Sequence, residues 1–400
     1  MKIVDVAEFY AERGGGVRIY VEQKLKAAAQ LGHELVVIAP GERDAIEQRG
    51  SSRIAWVASP PLPVDPRYHL LLRERAVHAL IDQELPDIIE GSSPWTGGLF
   101  AARYRGSTNG SRRVRKVFVF HQDPVAVYPQ TLLGGWLGEA RVDALCSPYW
   151  HYLRRLSGRF DATIVGGGWL AERLHQHGLA RPITVPFGVD KALFGSARRD
   201  PGLRAELIDK ARAEPGASLL VTVSRHHPEK RLGTLLDAVK LLAARRPLAL
   251  VVYGDGPFAT CSALRARGLP VYLAGATRDR ALLARVLASG DALLHGSAAE
   301  TFGLVVAEAL CAGLPLVVPS SGGAADLANP AYAETYPAGD ARACAAAIER
   351  LLDRDRTSLR VQALRAAEHH ILSPQEHFQH LFATYAALLQ EERPLAHATP

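Results

Sequence analysis

Short apolar runs alternate with longer helical patterns along this chain, and the cycle lapses once before starting again. Lys2–Val6, Glu34–Ala39, Ile54–Ala58, Ile88–Ile89, Val117–His121, Ala162–Val165 and Ile183–Val185 read as strands, with Val17–Leu31 as the first helix. Strands that alternate with helices specify a parallel sheet wound by right-handed crossovers. The apolar run Val-Phe-Val-Phe after Lys116 fits a sheet covered on both faces. After Phe187-Gly188-Val189-Asp190 the pattern fails, and the charged stretch Gly195–Gly216, with Pro201 and Pro215 near its ends, reads as a linker with a short helix. The cycle then resumes. Ser218–Ser224, Leu248–Tyr253, Val271–Leu273, Ala292–His295 and Leu316–Pro319 read as strands. Lys230–Arg246, Ala281–Ala288, Thr301–Ala312 and Arg342–Leu352 read as helices. The expected fold class is α/β, with two doubly wound domains facing across a cleft. Residues 1–190 form the first domain, 191–216 a linker and 217–375 the second, and 376–400 carry a helix that returns to the first.

A length of 400 residues supports two cores of this kind. An apolar share of 48% against 22% charged excludes a disordered chain. Cys146, Cys261, Cys311 and Cys344 lie far apart without a C-x-x-C pair, which argues against a zinc or redox motif. A reducing cytoplasm is the expected location, at the inner face of the cytoplasmic membrane if the protein is peripheral. The start, MKIVDVAEFY, lacks the apolar core of a signal peptide, and no apolar run is long enough to span a bilayer. The net charge of +6 is too mild to imply a nucleic-acid partner. It is concentrated in RYRGSTNGSRRVRK (103–116), which has six basic residues and no acid. That segment is either a solvated loop or a patch for anionic headgroups or a phosphate-bearing acceptor. Tyr128–Trp136 (YPQTLLGGW) mixes aromatic and apolar residues and suits a lipid interface or a core equally.

Ligands of open α/β sheets bind beyond the carboxyl ends of the strands, so the loops there carry the chemistry. Gly14-Gly15-Gly16 precede the first helix and let backbone N–H groups approach a phosphate. The dinucleotide pattern G-x-G-x-x-G fails at Ile19, which argues against a dehydrogenase. Gly254-Asp255-Gly256 is a partial match in which Pro257 removes a donor, and it reads as a simple turn. Ser224-Arg225-His226-His227-Pro228-Glu229-Lys230-Arg231 places two cations where a helix start meets the cleft, a setting for a diphosphate. In HGSAAETFGLVVAEALCAG, which starts at His295, Glu300 and Glu308 flank Phe302-Gly303-Leu304. Either carboxylate can accept bonds from vicinal hydroxyls, and helix-start amides between them can bind oxygens.

Taken together these motifs resemble the retaining nucleotide-sugar glycosyltransferases of family 4, with the GT-B architecture of two Rossmann-like domains. The likeness extends through Phe120-His121-Gln122-Asp123, Pro186–Asp190, Tyr253–Pro257 and the spacing from Glu300 to Glu308. It implies an acceptor-side first domain and a donor-nucleotide-binding second domain. It also implies that Glu300 holds donor-sugar hydroxyls, Glu308 the ribose, and Arg225 and Lys230 the diphosphate. Amides of Gly15, Gly16, Phe302, Gly303 and Leu304 would complete the cradle, with His121 facing the sugar near the acceptor. No metal and no separate cofactor is implied; Asp353-Arg354-Asp355 matches D-x-D but ends a late helix. Glu90-Gly91-Ser92-Ser93-Pro94-Trp95 is similar to a bacterial subgroup that glycosylates membrane lipids such as diacylglycerol from UDP-sugars. The expected partners are therefore a UDP-sugar and a lipid acceptor, with peripheral membrane association. The alternatives are a polyprenyl-linked or soluble saccharide acceptor, a UDP-sugar epimerase, and a non-catalytic nucleotide-binding scaffold.

Overall fold

The computed structural model describes residues 1–12, 16–63, 65–106 and 114–391. The first half supplies β1 (Lys2–Val6), β2 (Glu34–Gly41), β3 (Ala45–Arg49), β4 (Ser52–Ala58), β5 (Pro61–Leu62) and β6 (Asp65–His69). β7 (Ile88–Gly91), β8 (Arg115–Phe120), β9 (Ala162–Val165) and β10 (Ile183–Thr184) follow. Eight of these form one sheet in the order β10-β9-β8-β7-β1-β2-β4-β3. Every pairing in it is parallel except β3 with β4. The second half supplies β11 (Ser218–Val223), β12 (Leu248–Tyr253), β13 (Val271–Gly275), β14 (Ala292–Leu294), β15 (Leu316–Pro319) and β16 (Ala333–Tyr336). They form an all-parallel sheet in the order β13-β12-β11-β14-β15-β16.

The apolar runs became the buried strands, as both covered faces demand. The strands absent from the sequence reading are those without such a run. β3 carries charged and amide residues around a single exposed Ile46 and is a one-sided edge. β5 and β6 make a small separate hairpin, and β16 is four residues long.

The short helix expected in the linker stretch is Pro201–Lys210, and it packs into the second core. Asp200 caps helix Pro201–Lys210, and Leu203, Leu207 and Ile208 pack with Phe194 into the second core. Arg204 ties the same helix to Asp291 at 2.8 Å. The charges lie on its outer face, which masked the apolar i, i+4, i+5 set in a linear reading.

Two chain crossings run side by side between the domains. The Val189 N–H donates to the Leu372 carbonyl at 2.7 Å, and Gly188 bridges to Leu372. Helix Pro374–Gln390 begins just beyond, with a capping box between Ser373 and Glu376. Its Phe378, Leu381, Phe382, Tyr385 and Leu388 pack with Ile3, Leu35 and Val119 of the first domain. His377 of this helix donates from Nδ1 to the Pro186 carbonyl at 2.7 Å, so its Nε2 accepts the Tyr20 hydroxyl at 3.2 Å.

Beneath the switch in strand order at β1 and β7 lies a sealed ionic cluster. Lys24 donates to Asp5 at 2.9 Å and to Glu90 at 2.5 Å, and the Tyr385 hydroxyl reaches Glu90 at 2.5 Å. Burial opposes the lysine charge, but Asp5 and Glu90 more than compensate and raise its pKa. For Glu90, burial and the neighbouring Asp5 raise the pKa in spite of Lys24.

Candidate active site

The second sheet changes winding direction between β11 and β14, and both strands release the loops that hold the candidate residues. β11 passes into Ser224–Arg231. Pro228–Lys230 form one tight turn, and Arg231 adopts left-handed backbone before helix Leu232–Ala243 begins. Lys230 therefore stands on a separate turn instead of opening the helix, as the periodicity had implied. Gly296 lets the second loop meet this turn, because a Cβ there would lie 2.4 Å from the Lys230 carbonyl oxygen.

Lys230 Nζ donates to Glu300 Oε1 at 2.5 Å, and His295 Nε2 lies 3.7 Å from the same oxygen. The lysine and glutamate side chains are 16% and 22% exposed, so the pair is recessed yet open to the cleft. Burial raises the Glu300 pKa, but Lys230, His295 and Arg225 together bring it below the ordinary carboxylate value. Burial takes His295 down to about 4, which leaves its ring neutral at pH 7. Arg225 projects its guanidinium into solvent, 3.7 Å from the buried Glu229, which also pairs with His227.

The Glu300 loop reaches across the cleft. The Thr301 hydroxyl donates to the His121 carbonyl at 2.7 Å, and Asp326 accepts from the Trp169 N–H at 2.7 Å. The His121 ring packs against Tyr20 and Phe187 with centroids 5.3 and 5.5 Å away. Burial, with the Lys24 charge adding to it, lowers the His121 pKa to about 4. Phe187 meets Phe302 edge-on at 5.6 Å. The fold thus brings Lys230, Glu300, Phe302 and His121 to one seam.

Gly303 has φ 88° and caps helix Leu304–Cys311. A left-handed residue cannot continue a helix, so the element expected over Thr301–Ala312 starts three residues later. Leu304 is exposed in the first turn, where amides lack an intrahelical partner. Glu308 is buried one turn on and bonds to Arg280 at 2.7 Å, apart from the Lys230–Glu300 pair. Gly16 stands at the exposed start of helix Gly16–Gln30. Gly15, with Gly14 and Arg13, lies outside the described residues. Asp353 pairs with Arg246, Arg354 with Glu334, and Asp355 caps helix Arg356–His370, so the D-x-D sequence serves structure.

Sequence reasoning missed Arg280 and the role of Thr301. Asp279-Arg280 at a helix start after β13 was the available signal for the first. For the second nothing local distinguished the residue, because its partner is 180 positions away.

On the first-domain side, a π-helical turn Ala126–Gln130 leads into short helices Thr131–Leu137 and Glu139–Leu145. Helix Thr131–Leu137 buries no side chain; Trp136 is 90% and Leu132 70% exposed, with Tyr128, Leu133 and Leu145 also in solvent. This apolar lip lies beside the Pro228–Lys230 turn, and the Tyr128 ring is 6.4 Å from His227. Arg173 braces it from behind through Asp123 and Asp143. The basic segment is less of a free patch than its sequence implies. Arg115 pairs with Asp161 at 3.4 Å, and Lys116 donates to the Ala102 and Tyr104 carbonyls. Arg112 and Arg113 fall outside the described residues.

Two doubly wound domains with loops converging on a shared cleft are the GT-B architecture of nucleotide-sugar glycosyltransferases. Residues 14–193 match the family model described as Glycosyltransferase Family 4, and residues 217–354 match that for Glycosyl transferases group 1. A GDP-mannose-dependent alpha-mannosyltransferase of Mycobacterium tuberculosis is 30% identical over 82% of each chain. The chain belongs to glycosyltransferase family 4. A GDP-mannose-dependent alpha-(1-6)-phosphatidylinositol dimannoside mannosyltransferase of M. tuberculosis is 28% identical over 98% of each chain. Among solved structures, sucrose-phosphate synthase of Thermosynechococcus elongatus superposes with a TM-score of 0.74 at 21% identity, covering 97% of this chain and 99% of its own. That likeness concerns the fold.

Proposed function

We propose that this glycosyltransferase moves a hexose, with retention and without a metal, from a nucleoside diphosphate sugar to a hydroxyl of a membrane lipid. The observation that carries the reading is the Lys230–Glu300 pair, recessed at the strand-order switch with Arg225 beside it. Lys230 and Arg225 receive the diphosphate, and Glu300, released from Lys230, accepts hydrogen bonds from donor-sugar hydroxyls. Amides at Phe302, Gly303 and Leu304, with those of Gly15 and Gly16 opposite, complete the cradle. Glu308 takes the ribose hydroxyls. His121, neutral at pH 7, lines the sugar on the acceptor side.

In the reaction the acceptor oxygen bonds to the anomeric carbon as the bond from that carbon to the diphosphate oxygen breaks. The acceptor proton passes to the departing diphosphate on the same face. Fixed cations stabilise the charge that develops on the leaving group. The bonds from Thr301 to His121 and from Trp169 to Asp326 span the cleft and tie the two domains together beside the site.

For the donor base, the full-length likeness to a GDP-mannose-dependent enzyme supports GDP-mannose over the UDP-sugar implied by the shorter motif. That relative is named for a phosphatidylinositol-based acceptor, which supports a lipid here. The apolar lip supports it independently. Trp136, Leu132 and Tyr128 can rest among acyl chains while the lipid hydroxyl enters beside Lys230. Among the described residues no helix is long and apolar enough to cross a membrane, and the contact proposed is a peripheral one through this lip.

The test is to incubate pure protein with GDP- and UDP-sugars, a lipid extract and soluble saccharides, and to identify products by mass. A hexosylated lipid is expected. Product on soluble saccharides alone would replace the lipid reading. Nucleotide release without any acceptor, or an epimerised donor, would defeat the transfer reading.

A further inference from the structure

Glu308 is buried on helix Leu304–Cys311, and its carboxylate is held from one direction only. Arg280 donates from Nη2 to Oε1 at 2.7 Å. The guanidinium carbon of Arg280 lies 4.7 Å from the ring centroid of the fully buried Phe194, so an aromatic face fixes its plane. Arg280 is the first residue of helix Arg280–Ser289, whose cap is Asp279. A cation at that end of a helix opposes the dipole. Its placement therefore needs a local reason, and Glu308 supplies it. The bond is made to Oε1, which leaves Oε2 for a ligand hydroxyl.

Other charges on the surrounding elements are committed elsewhere. Arg285 pairs with Asp200, Arg360 bonds to the Ala288 and Gly290 carbonyls, and Arg356 reaches Ser218 and Asp291. Lys191 contacts the Glu368 carbonyl. On the same helix as Glu308, Cys311 is a thiol that burial pushes up to about 11. Burial also raises the Glu308 carboxyl above its ordinary range, and Arg280 is the one charge that opposes this.

We propose that Arg280 is a positioning residue for the donor nucleotide: its bond to Oε1, braced on Phe194, orients the Glu308 carboxylate with Oε2 turned to the ribose. The proposal rests on the assignment of Glu308 to the ribose. A protonated carboxyl in that pocket accepts less well from two vicinal hydroxyls, so losing Arg280 weakens binding at neutral pH and less at high pH.

GDP binding is measured by calorimetry from pH 6 to 9 for the wild type and for Arg280→Ala, Arg280→Lys and Glu308→Gln, with 2′,3′-dideoxy-GDP as the control ligand. The Arg280→Ala protein should lose GDP affinity roughly tenfold for each pH unit below a midpoint shifted upward. It should approach wild type at the alkaline end, with little change toward the dideoxy control. Arg280→Lys keeps a charge and should keep the wild-type pH profile. In turnover assays the donor KM should rise in Arg280→Ala while kcat at saturation stays. Glu308→Gln should be weak and flat with pH. If Glu308→Gln is weak but Arg280→Ala follows wild type at every pH, the Arg280 proposal falls and the ribose assignment stands. Tighter binding by Arg280→Ala would recast Arg280 as a plug over the site and also overturn the proposal. If Glu308→Gln binds as wild type does, the ribose assignment itself fails.

Discussion

Lys24 and Lys230 occupy comparable places in the two halves of the molecule. Each lies at a switch in strand order, paired with carboxylate groups: Asp5 and Glu90 on β1 and β7, Glu300 after β14. The difference is closure. Lys24 is wholly buried, capped by helix Pro374–Gln390 through Tyr385, whereas Lys230 and Glu300 remain partly open beside the exposed guanidinium of Arg225. Three charged groups sealed from water serve the fold, because no ligand can reach to replace any of them. Two charges left half-open at the mouth of a cleft are exchangeable. A diphosphate can take the lysine and sugar hydroxyls can take the glutamate. On the proposed function, one architecture uses the same ionic device as a rivet in one domain and as a binding site in the other.

Breaking each pair should separate these roles. Lys24→Met strands Asp5 and Glu90 without their cation. It should destabilise the protein by roughly 3–5 kcal/mol, the usual consequence of removing one partner of a buried pair. Chemical denaturation reads this directly, and an unchanged midpoint would remove the distinction. Lys230→Ala and Glu300→Ala should do the reverse. Each should cut turnover by at least ~100-fold, by analogy with loss of a transition-state donor, while the denaturation midpoint moves little. Turnover near normal in either variant would reject its catalytic assignment.

The apolar lip sharpens the contrast from outside the clusters. Exchanging Leu132 and Trp136 for serine should weaken binding to lipid vesicles by about tenfold or more, given ~1.5–3 kcal/mol for each buried large apolar side chain. Turnover on a short-chain, water-soluble acceptor should persist. Vesicle flotation and the two assays decide it. Unchanged flotation would remove the lip as the membrane contact.

The open cluster was more legible in the sequence than the sealed one. Arg225, Lys230 and Glu300 follow directly on apolar strands, so strand periodicity placed them at the strand ends, and Glu308 sits one helical turn further on. Nothing in the local sequence singles out Lys24, since its partners are 19 and 66 residues away and Tyr385 lies 295 beyond Glu90. The same limit hid Thr301, whereas outward charges masked the contribution of Pro201–Lys210 to the second core. Local pattern fixes which residues leave a strand end. It says little about which distant side chain will meet them. Positive-φ positions were the other blind spot: Gly303 and Arg231 shortened two expected helices, and only Gly303 had a residue type that hinted at it.

Acid should test the comparison with the smallest effect. His121 and His377 lie beside the sealed cluster and His295 in the open one, and burial is the leading cause that holds all three near 4. An unfolded histidine takes up its proton near pH ~6.5. The stability tied to these neutral rings is therefore complete above that value and declines as pH falls toward about 4. Glu300 adds a second loss at lower pH, because its depressed pKa stabilises only while it stays ionised. Both halves should weaken between pH 7 and 4.5. GDP should stabilise the half with the open cluster more than the other, which offers it only the Gly15 and Gly16 amides, since a ligand adds stability only to the state that binds it. Denaturation followed by hydrogen exchange, which resolves the two domains, checks this. Equal protection of both by GDP would mean that the halves unfold as one unit, and the separation of rivet from site would then be chemical without being energetic.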